Sequence, residues 1–199
     1  MPTQPTILIL ASQSPRRRQL LTEAEYEFTI IEPDESAESG VCSGESPAEM
    51  VARLARQKAA NVAPRVTEGV VIGCDTVVQC NGQILGKPTD EEHARRMLSL
   101  LRGSEHTVIS GLCLWQRPSD QVDVQVAATT LSMDAINDQQ LENYLDSGKW
   151  EGKAGAFGYQ DRLGWIHVVE GSESNVVGLP MELLAEMFTR RIPGTATDQ

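Results

Sequence analysis

Positive charge is scarce in this 199-residue chain: 17 lysines and arginines face 28 aspartates and glutamates, a formal net charge of −11. The broad phosphate-neutralising surface that nucleic acid or an anionic membrane demands is therefore missing, although a few local cations can still hold a small anion. Metal-finger spacings are missing too. The four cysteines, Cys42, Cys74, Cys80 and Cys113, stand apart with no CxxC pair, and no HExxH occurs, which argues against structural zinc. Residues 1–6 carry no basic group, and the apolar run 7–11 is far too short to cross a bilayer. Scattered cysteines with no leader fit a reducing compartment. The expectation is a cytoplasmic protein that binds neither nucleic acid nor membrane. Internal repeats and low-complexity linkers are absent as well. At 40% hydrophobic and 23% charged residues the balance is that of a globular chain able to bury a core. One domain over 1–192, built of one or two lobes, is expected, with a disordered tail over 193–199.

What is present is an alternation of strand-like and helix-like segments, which implies an α/β fold. The run 7–10 reads as a buried strand, 12–14 as a turn, and 15–24 as a helix with Ser14 at its N-cap and Pro15 first. A strand over 26–31 and a polar loop over 33–44 follow. Ser46-Pro47-Ala48-Glu49 is a capping box opening a helix to about Ala63, with Val51, Leu54, Ala55 and Val62 on one face. Residues 70–80 form a β-branched strand, and Asn81-Gly82 turns it into Gln83–Leu85. Positions 90–102 are amphipathic through Ala94, Met97, Leu98 and Leu101, and Gly103 suits the helix end. Strands are expected over 107–115 and Val122–Met133, then a helix over 138–145 and a glycine-rich loop over 148–158. A strand over 163–170 and a helix over 179–190 complete the pattern.

Several residues sit where folding alone does not ask for them. Arg16, Arg17 and Arg18 occupy the first turn of a helix directly after a strand. Cations there oppose the helix dipole at up to about 1 kcal/mol each. Either they are solvated and tolerated, or an anion bound at the free N–H groups reverses the sign. Lys58 lies four residues after Leu54 and seven after Val51, on the apolar face of its helix. It either snorkels to the core edge or points into a cleft toward negative charge. Asp75 interrupts an otherwise buried strand, and a buried carboxylate needs a cation, a metal ion or a catalytic role. Lys58 or Lys87, the latter in the turn Gly86-Lys87-Pro88, could supply the cation. The loop from Gly152 to Gln160 is a connector or a place where backbone approaches a ligand closely, and the Gln160 amide can read the edge of a base. The segment Glu170-Gly171-Ser172-Glu173-Ser174-Asn175 reads as structural.

In order, these segments resemble the Maf family of nucleoside triphosphate pyrophosphatases. The matching pieces are Leu10-Ala11-Ser12-Gln13-Ser14-Pro15-Arg16-Arg17, Leu54-Ala55-Arg56-Gln57-Lys58-Ala59, Gly73-Cys74-Asp75-Thr76-Val77-Val78, Gly86-Lys87-Pro88, the glycine-rich loop to Gln160, and Ser174-Asn175-Val176-Val177-Gly178-Leu179-Pro180. Six motifs in one order are far more specific than any one of them. The resemblance implies an elongated mixed sheet with flanking helices, two lobes around a deep cleft, a homodimer in many members, and a divalent metal, Mg²⁺ or Mn²⁺. By position, Ser12, Arg16, Arg17, Lys58 and Lys87 would hold a triphosphate, and Asp75 would act as general base or metal ligand.

Arg16, Thr76 and Gln160 match positions of the branch that hydrolyses dTTP and UTP, rather than the branch preferring 7-methyl-GTP. The roles implied for such a member include removal of modified nucleotides and a link to cell-division arrest, and a non-catalytic nucleotide-binding regulator is the reading from another class. The acidic loop Glu32-Pro33-Asp34-Glu35-Ser36-Ala37-Glu38 departs from the family pattern. Glu38 is the metal carboxylate it offers, with Glu35 in reserve. Cys74 stands where a small residue is usual.

Overall fold

The computed structural model describes residues 7–38 and 44–191, without the side chains of Glu35, Glu38 and Arg191. Cys42 and the tail from Pro193 lie outside that description. The chain runs β1 (Leu8–Ala11), α1 (Pro15–Glu23), β2 (Phe28–Ile30), α2 (Pro47–Val62), β3 (Gly69–Cys80), β4 (Gln83–Leu85) and α3 (Glu91–Leu101). It continues with β5 (Glu105–Arg117), β6 (Val122–Met133), α4 (Asp138–Asp146), β7 (Ile166–Glu170), α5 (Glu173–Val177) and α6 (Met181–Arg191). The sheet order is β2-β1-β3-β5-β6-β7, with β4 hairpinned onto β3. Pairing is parallel across β2, β1 and β3 and antiparallel elsewhere. The mixed elongated sheet with flanking helices is thus as expected.

Side-chain alternation along β1 and β3 divides the core. Leu8, Leu10, Ile72 and Cys74 pack with Leu21 of α1 and with Leu184 and Met187 of α6. Ile9, Ala11 and Val71 pack on the other face against Ala55, Ala59 and Val62 of α2. Each large aliphatic side chain so enclosed is worth roughly 1.5–3 kcal/mol. A third cluster, around Val78, Leu98, Leu101, Val108, Leu131, Leu145, Phe157 and Trp165, fills the far end of the sheet under α3 and α4. Two glycines set the distance between α2 and the sheet. A Cβ on Gly73 would collide with the carbonyl oxygen of Ala55, and one on Gly111 with that of Val51.

Differences from the sequence-based boundaries have local causes. The second strand shrinks to Phe28–Ile30 because Glu25 turns at φ 59° and the Tyr26 ring packs on Phe188. The last strand begins at Ile166 because Arg162 and Gly164 hold positive φ. α5 is a short helix that sequence reading takes as turns. Ser172 caps it, the side chain accepting from the Asn175 N–H, and Gly178 ends it at φ 120°. Five residues are too few for a helical period to register.

Candidate active site

The cleft opens where the sheet changes partners. On one edge β3 pairs with β1 only as far as Gly73, opposite Ala11, and with β4 only from Val78 onward. On the other edge it pairs with β5 throughout. Residues 74–77 therefore face a gap in the sheet, and alternation sends Asp75 toward α2 and Thr76 toward α1 and α5.

On the α2 side, Lys58 Nζ donates to Asp75 Oδ1 at 2.6 Å, with the two side chains 6% and 15% exposed. Of the two lysines offered by the sequence as partners for this carboxylate, Lys58 is the one that pairs. Its aliphatic stem lies on the apolar face, and its ammonium group reaches the gap because Gly73 admits α2 so closely. Lys87 is exposed at the cleft rim.

On the other side, Arg17 is 8% exposed. Its Nε donates to the Gly178 carbonyl at 2.7 Å, Nη1 to the Cys74 carbonyl at 2.7 Å and to Ser12 Oγ at 3.2 Å, and Nη2 to Thr76 Oγ1 at 3.3 Å. The Cys74 carbonyl is one that β1, ending too early, does not reach. Four of the five guanidinium N–H groups are so engaged, and Arg17 ties the β1–α1 turn, β3 and the end of α5 together. Ser14 caps α1 as expected, accepting from the Arg17 N–H.

Arg16 meets different surroundings. Its Nη2 donates to the Gly152 carbonyl at 2.9 Å, joining α1 to the glycine-rich loop. Burial first, and then the neighbouring Arg17, draws its guanidinium below the ordinary value, while Asp161 pulls the other way. An anion between the two arginines would relieve their repulsion. The loop is fixed by the Gly155 N–H, which donates to Gly86 beside Lys87, and by a buried pair, Lys153 Nζ to Asp161 Oδ2 at 2.5 Å. Gln160 lies exposed on the same loop.

Ser12, Arg16, Arg17, Lys58, Asp75, Thr76, Lys87 and Gln160 all line one cleft of about 500 Å³, a volume suited to a nucleotide. Sequence reading did not single out Lys153, Asp161 or Asn175. Asn175 is fully buried, donating to the Val108 carbonyl at 3.1 Å and to Thr129 Oγ1 at 2.9 Å. The signal for Lys153 was a single charge in a run of Gly and Ala.

The side chains of Glu38 and Glu35, the metal carboxylates suggested by the resemblance, lie outside the described residues. Among the described residues no three His, Cys, Asp or Glu side chains converge as a metal cage. Asp75, in a cleft that Asp34 and Glu151 also line, fits Mg²⁺ or Mn²⁺ held together with phosphate oxygens, since such ions are commonly held by one or two carboxylates plus substrate. Among the described residues no helix is long and apolar enough to cross a membrane.

The chain is 55% identical over 185 residues to a Rhodopirellula baltica protein named dTTP/UTP pyrophosphatase, covering 92% of this chain and 82% of that one. A Pelotomaculum thermopropionicum protein of the same name is 40% identical over 186 residues, covering 92% and 95%. Among solved structures, a HAM1 protein from Coxiella burnetii superposes with a TM-score of 0.50 at 14% identity, over 93% of this chain and 99% of that one. That is a likeness of fold. The profile of the Maf-like protein family matches residues 7–191, and with all six motifs inside that span the chain belongs to the Maf family.

Proposed function

We propose that this chain hydrolyses dTTP and UTP to the nucleoside monophosphate and pyrophosphate. The observation that carries the reading is the Lys58–Asp75 pair set in the gap between β1 and β4, with Arg16 and Lys87 at the same cleft. Lys58 holds the Asp75 carboxylate in place, and Asp75 accepts the proton of a water attacking the α-phosphorus. Charge then grows on the leaving pyrophosphate, where Arg16, Lys87 and the Ser12 hydroxyl stabilise it. Arg17 holds the walls around that path. Asp75 and the phosphate oxygens would hold Mg²⁺ or Mn²⁺, which supplies charge neutralisation and Lewis-acid polarisation when bound. We infer a cytoplasmic location, in keeping with the scattered cysteines.

Base choice falls to Gln160. In one rotamer its amide complements the O4 and N3–H edge of uracil or thymine, and the same rotamer meets mismatched partners on cytosine, which presents an amine and an unprotonated nitrogen there. A mismatch that bound nucleotide shields from water costs roughly 1–3 kcal/mol, enough for about tenfold discrimination or more. The names of the relatives support the same pair of substrates.

The test is kcat/KM for dTTP, UTP, dCTP, CTP and 7-methyl-GTP by pyrophosphate release. The two uracil-type substrates should lead, and Asp75→Asn should abolish turnover while nucleotide still binds. Equal values across the pyrimidines, or a lead for 7-methyl-GTP, would overturn the substrate assignment. Near-normal turnover by Asp75→Asn would overturn the mechanism.

A further inference from the structure

The glycine-rich loop carries a charged pair that the reaction above does not use. Lys153 and Asp161 bracket the loop, their side chains 10% and 13% exposed, with Nζ and Oδ2 2.5 Å apart. The Tyr144 hydroxyl donates to the same Asp161 oxygen at 3.2 Å. Burial, and then the Asp161 carboxylate, push the Tyr144 phenol up, so it remains a donor. Gly158 is where the pair passes the backbone. A Cβ there would strike both Lys153 Nζ and Asp161 Oδ2.

A buried ion pair is a weak source of stability, because desolvation offsets most of its attraction, but it can fix one conformation among several. The conformation fixed here is that of the turn Tyr159–Asp161, with Gln160 at its centre. Gln160 is exposed, so its place depends on its two neighbours. Tyr159 is anchored by its hydroxyl on Glu173 Oε1 at 2.9 Å. Asp161 is anchored by Lys153 and Tyr144, and the Asp161 N–H donates back to the Gly158 carbonyl at 3.1 Å. The anchored stretch reaches the phosphate end of the cleft through Gly152, whose carbonyl accepts from Arg16.

The geometry assigns Lys153, Asp161 and Tyr144 as positioning residues that set base selection by holding Gln160. This rests on the reading of Gln160 as the base contact. Catalysis at Asp75 does not run through them, so their removal relaxes the choice of base more than it slows hydrolysis of a non-preferred nucleotide. The sequence hides this role because the three side chains come from two segments, and because a charge pair eight residues apart within a loop has no periodic signature.

The readout is the ratio of kcat/KM for dTTP to that for dCTP, which the fraction of folded enzyme does not affect. The double variant Lys153→Met with Asp161→Asn removes both charges together, so neither is left buried alone. Its ratio should fall by about tenfold, toward parity, whatever common change in rate the loosened Arg16–Gly152 contact adds for all nucleotides. Tyr144→Phe, which deletes one hydroxyl, should narrow the ratio by a smaller factor and serves if the double variant does not fold. Gln160→Ala is the reference, and adding it to the double variant should lower the ratio no further.

A double variant or Tyr144→Phe that slows all nucleotides equally, while Gln160→Ala lowers the ratio, would overturn the positioning role and leave Gln160 as the base reader. A Gln160→Ala enzyme with an unchanged ratio would overturn the base reading, and the positioning role with it.

Discussion

Two arginines adjacent in the first turn of α1 illustrate how much the surroundings decide at the scale of a residue. Arg17 is enclosed and donates to two main-chain carbonyls and two hydroxyls, whereas Arg16 reaches across the cleft to a single carbonyl. The account expects the two alanine variants to separate. Arg17→Ala leaves the buried Cys74 carbonyl without its Arg17 donor, and the Gly178 carbonyl with only Cys74 Sγ and Thr76 Oγ1, and should lower unfolding free energy by about 1.5–3 kcal/mol. Arg16→Ala should leave stability nearly unchanged and cost about the same amount in kcat/KM, as should Lys87→Ala. Urea unfolding beside steady-state kinetics decides it, and a destabilised Arg16→Ala with a fully stable Arg17→Ala would reverse the assignment. From the chain alone both residues read as phosphate ligands. The enclosure of Arg17 depends on Cys74, Thr76 and Gly178, at distant positions in the sequence.

At the scale of elements, α2 shows what patterning can and cannot convey. Its capping box and apolar face were legible because both are local: Ser46 and Glu49 satisfy each other's backbone groups as their spacing implies. That Lys58 would meet Asp75 was legible only as one of two options, since the approach of α2 to the sheet depends on Gly73 and Gly111, which carry no pattern of their own. Gly73→Ala should drive α2 outward, reducing stability by about 1–3 kcal/mol through overpacking and reducing turnover by displacing Lys58. Gly86→Ala is the control, because nothing lies within 4 Å of the added methyl group. Thermal unfolding and kcat for both variants test this. Equal behaviour of the two would mean that helix spacing does not set the Lys58–Asp75 contact. α5 escaped sequence reading for a different reason, since too few residues lie between Ser172 and Gly178, which cap it, for a helical period to register.

For the whole molecule, fold class and the gathering of Ser12, Arg16, Lys58, Asp75, Lys87 and Gln160 at one cleft could be anticipated from motif order. The place of the cleft could not. It lies where β1 stops and β4 has yet to start, a matter of strand lengths that single-sequence patterns set only to within a few residues. The far-end core also carries a pH dependence. His106 is 3% exposed, packs edge-on against Phe157 at 5.3 Å, and neither ring nitrogen makes a hydrogen bond. Burial lowers its pKa from 6.5 to about 4. A depressed pKa means that the unfolded chain takes the proton first. Stability should therefore be complete above about pH 6.5 and fall as the pH drops through about 4, by on the order of 3 kcal/mol. His106→Leu should flatten that part of the profile in urea unfolding at about pH 7 and about pH 5. An unchanged slope would place the titration elsewhere.

The central claim, attack of water on the α-phosphorus with Asp75 as base, has a direct measurement. Hydrolysis of dTTP in water enriched in the heavy oxygen isotope, followed by mass spectrometry of the products, locates the bond that forms. The account predicts label in dTMP and unlabelled pyrophosphate. Label in pyrophosphate, or release of dTDP and orthophosphate, would contradict it.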